Sequence, residues 1–240
     1  PNALAPLLLL LLAACAGASH ELPAISAADS ERAAQRIAQG PEPRATSRTA
    51  AENEQITRRA FDRLQTAAAP ICEKLRKADA CWYSLEFSPK GDVNAYTVKN
   101  QISIFNGLAQ YLETEDEFAA VVAHEIGHHI ASHYEAQLQN RRVGAAVAAA
   151  ILVGMGAAAG GANQDPVGRD RAIRDVMGAG AALGKISFSK EHEREADYLA
   201  AYIIARAGYN PDDAERIWVK LTKISGRMTT VEASDVALLL

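Results

Sequence analysis

The sequence predicts an α+β fold that is mostly helical and contains a small antiparallel sheet of about three strands. Two observations support this prediction. Apolar residues recur at helical spacing over several long stretches, and three short stretches between residues 82 and 105 alternate or carry β-branched and aromatic side chains. The length of 240 residues suits one domain preceded by a tail.

The domain is predicted to begin near Ala51 with a long helix. Its helical periodicity is carried by Ile56, Ala60, Phe61 and Leu64. The predicted strands are residues 82–87, 93–98 and 102–105, with a turn at Pro89–Asp92 between the first two. Near the end of the chain, Gly208 is typical of a residue that follows a helix, and Asn210 with Pro211 is typical of a helix start.

A helix with a marked start carries the strongest chemical signal. Thr114 is its predicted N-cap, and Glu117 would complete a capping box. The sequence His124-Glu125-Ile126-Gly127-His128 follows within this helix. Two histidines four residues apart lie one turn apart on the same face, so both can reach one zinc ion with the intervening carboxylate beside its water. The pattern predicts metal-assisted peptide hydrolysis; the alternative is a helix that merely carries several histidines, His129 included.

A catalytic zinc needs a third protein ligand from elsewhere in the fold. The best candidate segment is Ser189–Asp197. Glu193 and Asp197 share one face of a helix, so Glu193 can bind the metal while Asp197 holds a ligand histidine by its second ring nitrogen. Glu191 and Glu195 are equally eligible on chemistry, and a solvated charged helix face is the alternative.

Together these segments resemble the HtpX/BepA-type zinc metalloproteases, a gluzincin group to which the CaaX-prenyl proteases are related. The resemblance covers roughly residues 51–240 and implies a zincin-like catalytic domain. The matching segments are Asn94-Ala95-Tyr96, Ile104-Phe105-Asn106-Gly107-Leu108, Glu115-Asp116-Glu117, His124-Glu125-Ile126-Gly127-His128, Glu193-Arg194-Glu195-Ala196-Asp197 and Ala207-Gly208-Tyr209-Asn210-Pro211.

The resemblance implies a role for each matching site residue. His124, His128 and Glu193 would bind one Zn²⁺, Glu125 would be the general base, and Asp197 would orient a ligand histidine. The choice of Glu193 over its acidic neighbours rests on this resemblance.

Some features depart from the family pattern. Val98-Lys99-Asn100-Gln101 stands where the family often has a Pro-Gly-Gly-like turn, and His192 stands where periplasmic members often have another polar residue. The family also continues beyond the position of Leu240 into a segment near the active site. We therefore expect the domain to be C-terminally incomplete.

Residues 1–15 predict export. The apolar run Leu7–Leu12 is too short to span a bilayer and is typical of a signal peptide, and Leu12-Ala13-Ala14-Cys15 resembles a bacterial lipobox with Cys15 as the lipidated residue. Ala16 favours onward transport, so we expect a periplasmic lipoprotein anchored to the outer membrane. The alternative is an ordinary signal peptide cleaved near Ala18. Residues 16–50 are predicted to be a flexible tether with one helical piece around 29–39.

Two further segments leave alternatives open. Cys72 and Cys81 form an even pair in an exported chain, which predicts a disulfide, with two buried free thiols as the alternative. Residues 143–162 carry no charge but consist mostly of Ala and Gly. We favour a soluble helical hairpin or a mobile segment beside the cleft, because Ala and Gly add little to membrane insertion; a membrane span is the alternative. The resemblance implies that this region lies near the active site, which is consistent with a lid.

The net charge of −4 argues against nucleic acid as a main partner. The motifs predict a zinc-dependent endopeptidase. The resemblance to the HtpX/BepA-type proteases implies protein substrates and a role in the quality control of misassembled envelope proteins. An edge of the small sheet is a candidate binding site for an extended peptide. The alternative function is an envelope chaperone or assembly factor whose zinc site is self-restrained, working with the envelope assembly machinery.

Overall fold

The computed structural model describes residues 21–76, 80–142 and 188–226. The chain divides into two compact units. One comprises residues 18–134 and 189–240 and contains the sheet and the predicted site; the other comprises residues 1–17 and 135–188. Of the second unit, the structure describes residues 135–142, which are helical, and Phe188.

The prediction of a mostly helical α+β fold is confirmed. The helices are α1 (Ala27–Gln39), α2 (Ala50–Leu75), α3 (Asn106–Ala109), α4 (Glu115–Ile130), α5 (Lys190–Arg206) and α6 (Pro211–Gly226), and residues 133–142 are also helical. The strands are β1 (Ser84–Ser88), β2 (Ala95–Val98) and β3 (Gln101–Phe105).

The three strands form one sheet in the order β1-β3-β2, and its pairing differs from the prediction. Strands β2 and β3 form the expected antiparallel pair, but β1 pairs with β3 in parallel. The prediction of a sheet that is antiparallel throughout was therefore wrong. The reason lies in the segment between β1 and β2. The Gly107 N–H donates to the Lys90 carbonyl at 3.0 Å, so this segment crosses the end of β3 instead of closing a hairpin.

Helix α4 is the centre of the core. All its residues from Glu117 to Ile130 are buried. It packs against α2, α5, α6 and the strands β2 and β3. A helix enclosed on every side needs small or apolar residues around its circumference, and polar side chains within it must find internal partners. The motif histidines therefore lie inside the protein and not on a solvated face.

The start of α4 confirms the cap but not the full capping box. The Thr114 hydroxyl accepts from the Glu117 N–H at 3.3 Å, as predicted. A full capping box would also need the Glu117 carboxylate to accept from the Thr114 N–H, and it does not. It accepts from the Glu113 N–H at 2.5 Å and pairs with the Lys220 ammonium at 2.7 Å. Because Glu117 and Lys220 are both buried, this ion pair fixes α6 to the N-terminal end of α4.

Helices α4 and α5 approach very closely beside the histidines. A Cβ atom placed on Gly127 would lie 2.6 Å from the Ala196 carbonyl oxygen, which is a backbone atom and cannot rotate away. Glycine at this position therefore permits the close crossing. The crossing brings the acidic first half of α5 against the histidine-bearing half of α4.

The segment ahead of the sheet is tied to α2. Cys72 in α2 is joined to Cys81 by a disulfide with a Cα–Cα distance of 5.7 Å. Next to it, the Ala80 carbonyl oxygen lies 2.8 Å from His129 Nε2, and the Lys99 carbonyl oxygen lies 3.0 Å from His129 Nδ1. His129 thus faces the sheet side of α4 and links the helix to the loops beside it.

Two predicted features lie outside the described residues: lipidation of Cys15 and the assignment of residues 143–162. Within the described ranges, none of the helices has the length and apolar character needed to cross a bilayer. The structure also describes part of the predicted tether. Within it, α1 packs against α6, and the Lys223 ammonium donates to the Gly40 carbonyl.

The tight helix crossing generates a stability prediction. Gly127→Ala should lower the free energy of unfolding by about 1–3 kcal/mol, because the added methyl group forces the two backbones apart. Denaturant unfolding of the metal-free protein measures this. Gly91→Ala is the matched control, since a Cβ there meets no atom within 4 Å; it should change stability by less than about 0.5 kcal/mol. Equal effects of the two substitutions would contradict the packing argument.

Candidate metal centre and active site

The structure brings together three of the residues that the sequence predicted as ligands. His124 and His128 project from α4, and Glu193 projects from the first turns of α5. The distance from His124 Nε2 to His128 Nε2 is 3.0 Å. Glu193 Oε2 lies 3.3 Å from His124 Nε2 and 3.6 Å from His128 Nε2. The three donor atoms thus form a nearly equilateral triangle.

This triangle fits a small divalent metal. Ligand atoms at zinc–nitrogen and zinc–oxygen distances of roughly 2.0–2.2 Å in a tetrahedron are about 3.3 Å apart, which matches the three separations. Two imidazole nitrogens and one carboxylate oxygen are also ligand types that zinc accepts in catalytic sites. Among the described residues, His124, His128 and Glu193 are the cluster able to hold a metal ion.

A carboxylate contacts His124 at Nδ1, the ring nitrogen away from the cluster. This nitrogen lies 2.7 Å from Asp197 Oδ1, and both residues are buried. Burial alone would lower the pKa of His124, but the negative charges and hydrogen bonds of Asp197 and Glu193 outweigh burial and raise its pKa well above the usual range. A metal must therefore displace a proton from this imidazole in order to bind, so binding should weaken as the pH falls.

His128 is held neutral by its surroundings. Burial is the main reason that its pKa falls to about 3, and the neighbouring His124 and His133 add to this effect, against the opposing influence of Glu193. A neutral imidazole keeps a lone pair available for a metal. His128 Nδ1, the nitrogen away from the cluster, lies 2.8 Å from His133 Nδ1.

Glu125 lies between the two histidines in sequence but contacts the sheet. Its Oε2 accepts a hydrogen bond from the Thr97 hydroxyl of β2 at 2.7 Å. Burial raises the pKa of Glu125 to about 7, with Glu193 adding to the rise, and the charge of His124 and the Thr97 hydrogen bond oppose it. A carboxylate that gains and loses its proton near neutral pH is suited to general-base chemistry. Thr97 was not singled out in the sequence, because only the sheet pairing brings β2 to α4.

The structure separates the three acidic neighbours on α5. Glu191 is exposed, whereas Glu195 is fully buried and its Oε2 lies 3.1 Å from His133 Nε2. Only Glu193 points into the cluster, and its hydrogen bonds with His124 and His128 outweigh the effect of burial and lower its pKa. The side chain of Glu193 is still 39% exposed, so the cluster opens towards solvent on this side.

Two aromatic contacts complete the surroundings. The Trp218 ring of α6 packs against His124 with 5.0 Å between ring centroids. The His192 ring stacks on His133 with 4.4 Å between centroids and 25° between planes. Sequence reasoning did not single out His133; the only signal was one more histidine shortly after the motif helix. His129, the third histidine of that helix, faces away from the cluster.

Comparisons with known proteins agree with this geometry. The family model for peptidase family M48 matches residues 57–235. The mitochondrial metalloendopeptidase OMA1 of Arabidopsis thaliana is 29% identical over 136 residues, which is 56% of this chain and 24% of that protein. The beta-barrel assembly-enhancing protease of Escherichia coli O157:H7 is 30% identical over 128 residues, which is 50% of this chain and 24% of that protein. The match to OMA1 of Schizosaccharomyces pombe is 27% identical and covers 56% of this chain and 36% of that protein.

The chain thus spans about a quarter to a third of the length of these relatives. The family match, in contrast, extends over most of the chain and includes every residue of the cluster. The histidines of α4 and the glutamate of α5 meet within a domain of the matched family. The chain accordingly belongs to peptidase family M48, and this domain is a metalloprotease domain.

Proposed function

We propose that this protein is a zinc-dependent endopeptidase with His124, His128 and Glu193 as metal ligands and Glu125 as general base. The observation that carries the proposal is the triangle of donor atoms with sides of 3.0, 3.3 and 3.6 Å. Two of its residues are neighbours on α4, and the third, Glu193, comes from a helix much later in the chain. Asp197 orients His124 through its Nδ1.

The protein residues and the metal have separate tasks in this proposal. When bound, zinc supplies Lewis acidity towards the scissile carbonyl and the attacking water. Glu125 takes the proton of the water and delivers it to the leaving amine. Burial raises the pKa of Glu125, and this favours transfer of the proton from the water to its carboxylate. The Thr97 hydroxyl holds the carboxylate in place.

The sheet supplies a site for an extended peptide. Strand β2 lies at the edge of the order β1-β3-β2, and its Thr97 contacts Glu125 directly. A peptide that adds as a further strand along β2 would pass beside the base and the exposed side of the metal cluster. Main-chain hydrogen bonding of this kind depends little on the side chains of the substrate, so it gives low sequence specificity. Low specificity suits an enzyme that cleaves unfolded or misassembled proteins.

We also propose an envelope location and envelope substrates. The support is the lipobox-like sequence ending at Cys15, together with similarity to relatives named beta-barrel assembly-enhancing protease. On this proposal the protein is a periplasmic lipoprotein of the outer membrane that removes misassembled envelope proteins and works beside the envelope assembly machinery.

Replacement of the base tests the reaction. Glu125→Gln should keep zinc but lower the rate of cleavage of an unfolded model protein by about 10²–10⁴-fold, because the amide cannot accept the proton. Zinc content and cleavage rate are measured together, with Glu191→Gln as the exposed control and a chelator-treated sample as the blank. Near-normal cleavage by Glu125→Gln would rule out its role. Absence of chelator-sensitive cleavage in the unaltered protein would favour the chaperone alternative.

The third ligand is tested by metal affinity. Glu193→Ala should weaken zinc binding by more than the roughly 10- to 100-fold that loss of an outer hydrogen-bonding partner costs. Glu191→Ala, two positions away on an exposed face, should leave zinc binding unchanged. Competition with a chromophoric chelator gives both dissociation constants. The assignment fails if the two variants bind zinc alike.

The anchor is tested in the precursor expressed in a bacterium. Cys15→Ser should abolish incorporation of labelled palmitate and block lipoprotein-type processing. A chain starting at Ala16 behind an ordinary cleavable signal should appear in the soluble periplasmic fraction, because the acyl chains supply the membrane affinity at about 0.8 kcal/mol per buried CH₂. Fractionation after a carbonate wash reports the location. If the chain starting at Ala16 stays in the washed membrane, this would contradict the lipid chains as the only anchor and point to residues 143–162 as a span.

A further inference from the structure

We infer that His133 and Glu195 form a hydrogen-bonded relay that positions His128 as a metal ligand. The inference rests on the proposed metal role of His128. The relay runs from His128 Nδ1 to His133 Nδ1 over 2.8 Å, and from His133 Nε2 to Glu195 Oε2 over 3.1 Å. His133 and Glu195 are positioning residues, since neither reaches the cluster of donor atoms itself.

The order of protons along the relay follows from the metal-binding atom. If His128 offers the lone pair of Nε2 to a metal, its proton must be on Nδ1, which then donates to His133 Nδ1. A His133 that accepts at Nδ1 carries its proton on Nε2, and this N–H donates to the Glu195 carboxylate. Each step has one donor and one acceptor, so a single set of tautomers satisfies the whole relay.

Burial gives the relay its strength. His133 is 1% exposed and Glu195 is 0% exposed. A carboxylate removed from water is costly unless strong hydrogen bonds compensate, and its bond to an imidazole N–H is strengthened by the low polarity around it. The ring of His192 stacks on His133 at 4.4 Å and limits its rotation. The hydrogen bond to Glu195 and the stacking contact with His192 together fix the orientation of the His133 ring. The hydrogen bond between the two Nδ1 atoms then restricts the orientation of His128.

The two ligand histidines are thus oriented in parallel ways. Asp197 contacts His124 directly, whereas Glu195 acts on His128 through one more imidazole. Both carboxylates come from α5, two residues apart and on different faces, with Glu193 between the histidines. One helix therefore provides a ligand and the supports of both other ligands. The sequence favoured Asp197 alone for this task.

The relay is tested by zinc affinity of paired variants. His133→Leu removes the acceptor for His128, and should raise the zinc dissociation constant by about 10- to 100-fold. His133→Asn places an amide oxygen near the position of Nδ1, and should recover most of the lost affinity. Glu195→Leu should resemble His133→Leu, and Glu195→Gln, which keeps an acceptor oxygen, should have the smaller effect. Unfolding of each metal-free variant reports whether it folds.

A double-mutant cycle separates a relay from two independent packing effects. If His133 and Glu195 act as a unit, the double variant with both residues changed to Leu should bind zinc no more weakly than His133→Leu alone. Additive losses would overturn the inference. Zinc binding by the unaltered protein is measured first: no binding would reject the proposed metal site, whereas normal binding with unaffected variants would reject the relay only.

Histidine tautomers provide a readout that a purely structural role would not produce. In the zinc-loaded protein with ¹⁵N-labelled histidine, NMR should show His133 protonated at Nε2 and His128 protonated at Nδ1. In Glu195→Leu, the fixed Nε2–H form of His133 should give way to a mixture of tautomers. A His133 protonated at Nδ1 in the unaltered protein would overturn the inference, because two Nδ1–H groups cannot donate to each other.

Discussion

The close contact between α4 and α5 is the constraint on which the site depends. At Gly127 the two helices approach so closely that a Cβ atom would lie 2.6 Å from the Ala196 backbone oxygen. Side chains on either side of this crossing are therefore held at short distances. Glu193 lies before Ala196 in α5 and reaches the histidine pair, and Asp197 directly after it reaches the back of His124. Without the crossing, neither carboxylate would meet α4.

Burial then acts on each titratable group according to its neighbours. Removal from water favours the neutral form of every group. It therefore raises the pKa of Glu125 to about 7 and lowers that of His128 to about 3. His124 differs because the carboxylates of Asp197 and Glu193 favour its charged form and outweigh burial. One environment thus gives Glu125 a raised pKa, keeps His128 neutral and favours the charged form of His124.

In the proposed function, the small sheet links the site residues to a place for an extended peptide. Insertion of β3 between β1 and β2 leaves β2 at an edge, and Thr97 of this edge strand holds the Glu125 carboxylate. Parallel pairing of β1 with β3 is what puts β2 in this position. A hairpin of β1 and β2, as expected from the turn at Pro89–Asp92, together with the pair of β2 and β3 would have given the order β1-β2-β3. In that order β2 is the central strand and offers no free edge.

Local sequence determined much of this protein. The cap at Thr114, the helix end at Gly208 and the start at Pro211 each depend on a few neighbouring residues, and the four-residue spacing of His124 and His128 fixes their shared face. Such features need only short-range geometry. The choice of Glu193 over Glu191 and Glu195 needed the family resemblance, because spacing alone made all three eligible.

Tertiary structure decided which contacts form between segments that are distant in the sequence. The pairing of β1, the contact of Thr97 with Glu125, the ion pair of Glu117 with Lys220 and the His133–Glu195 relay all join residues that local patterns cannot relate. Each depends on which helix faces which, and this is set by packing of the whole core. The sequence alone determined a helix with two histidines on one face. The crossing of α4 and α5 decided which side chains surround them, because burial and distance are properties of the packed chain.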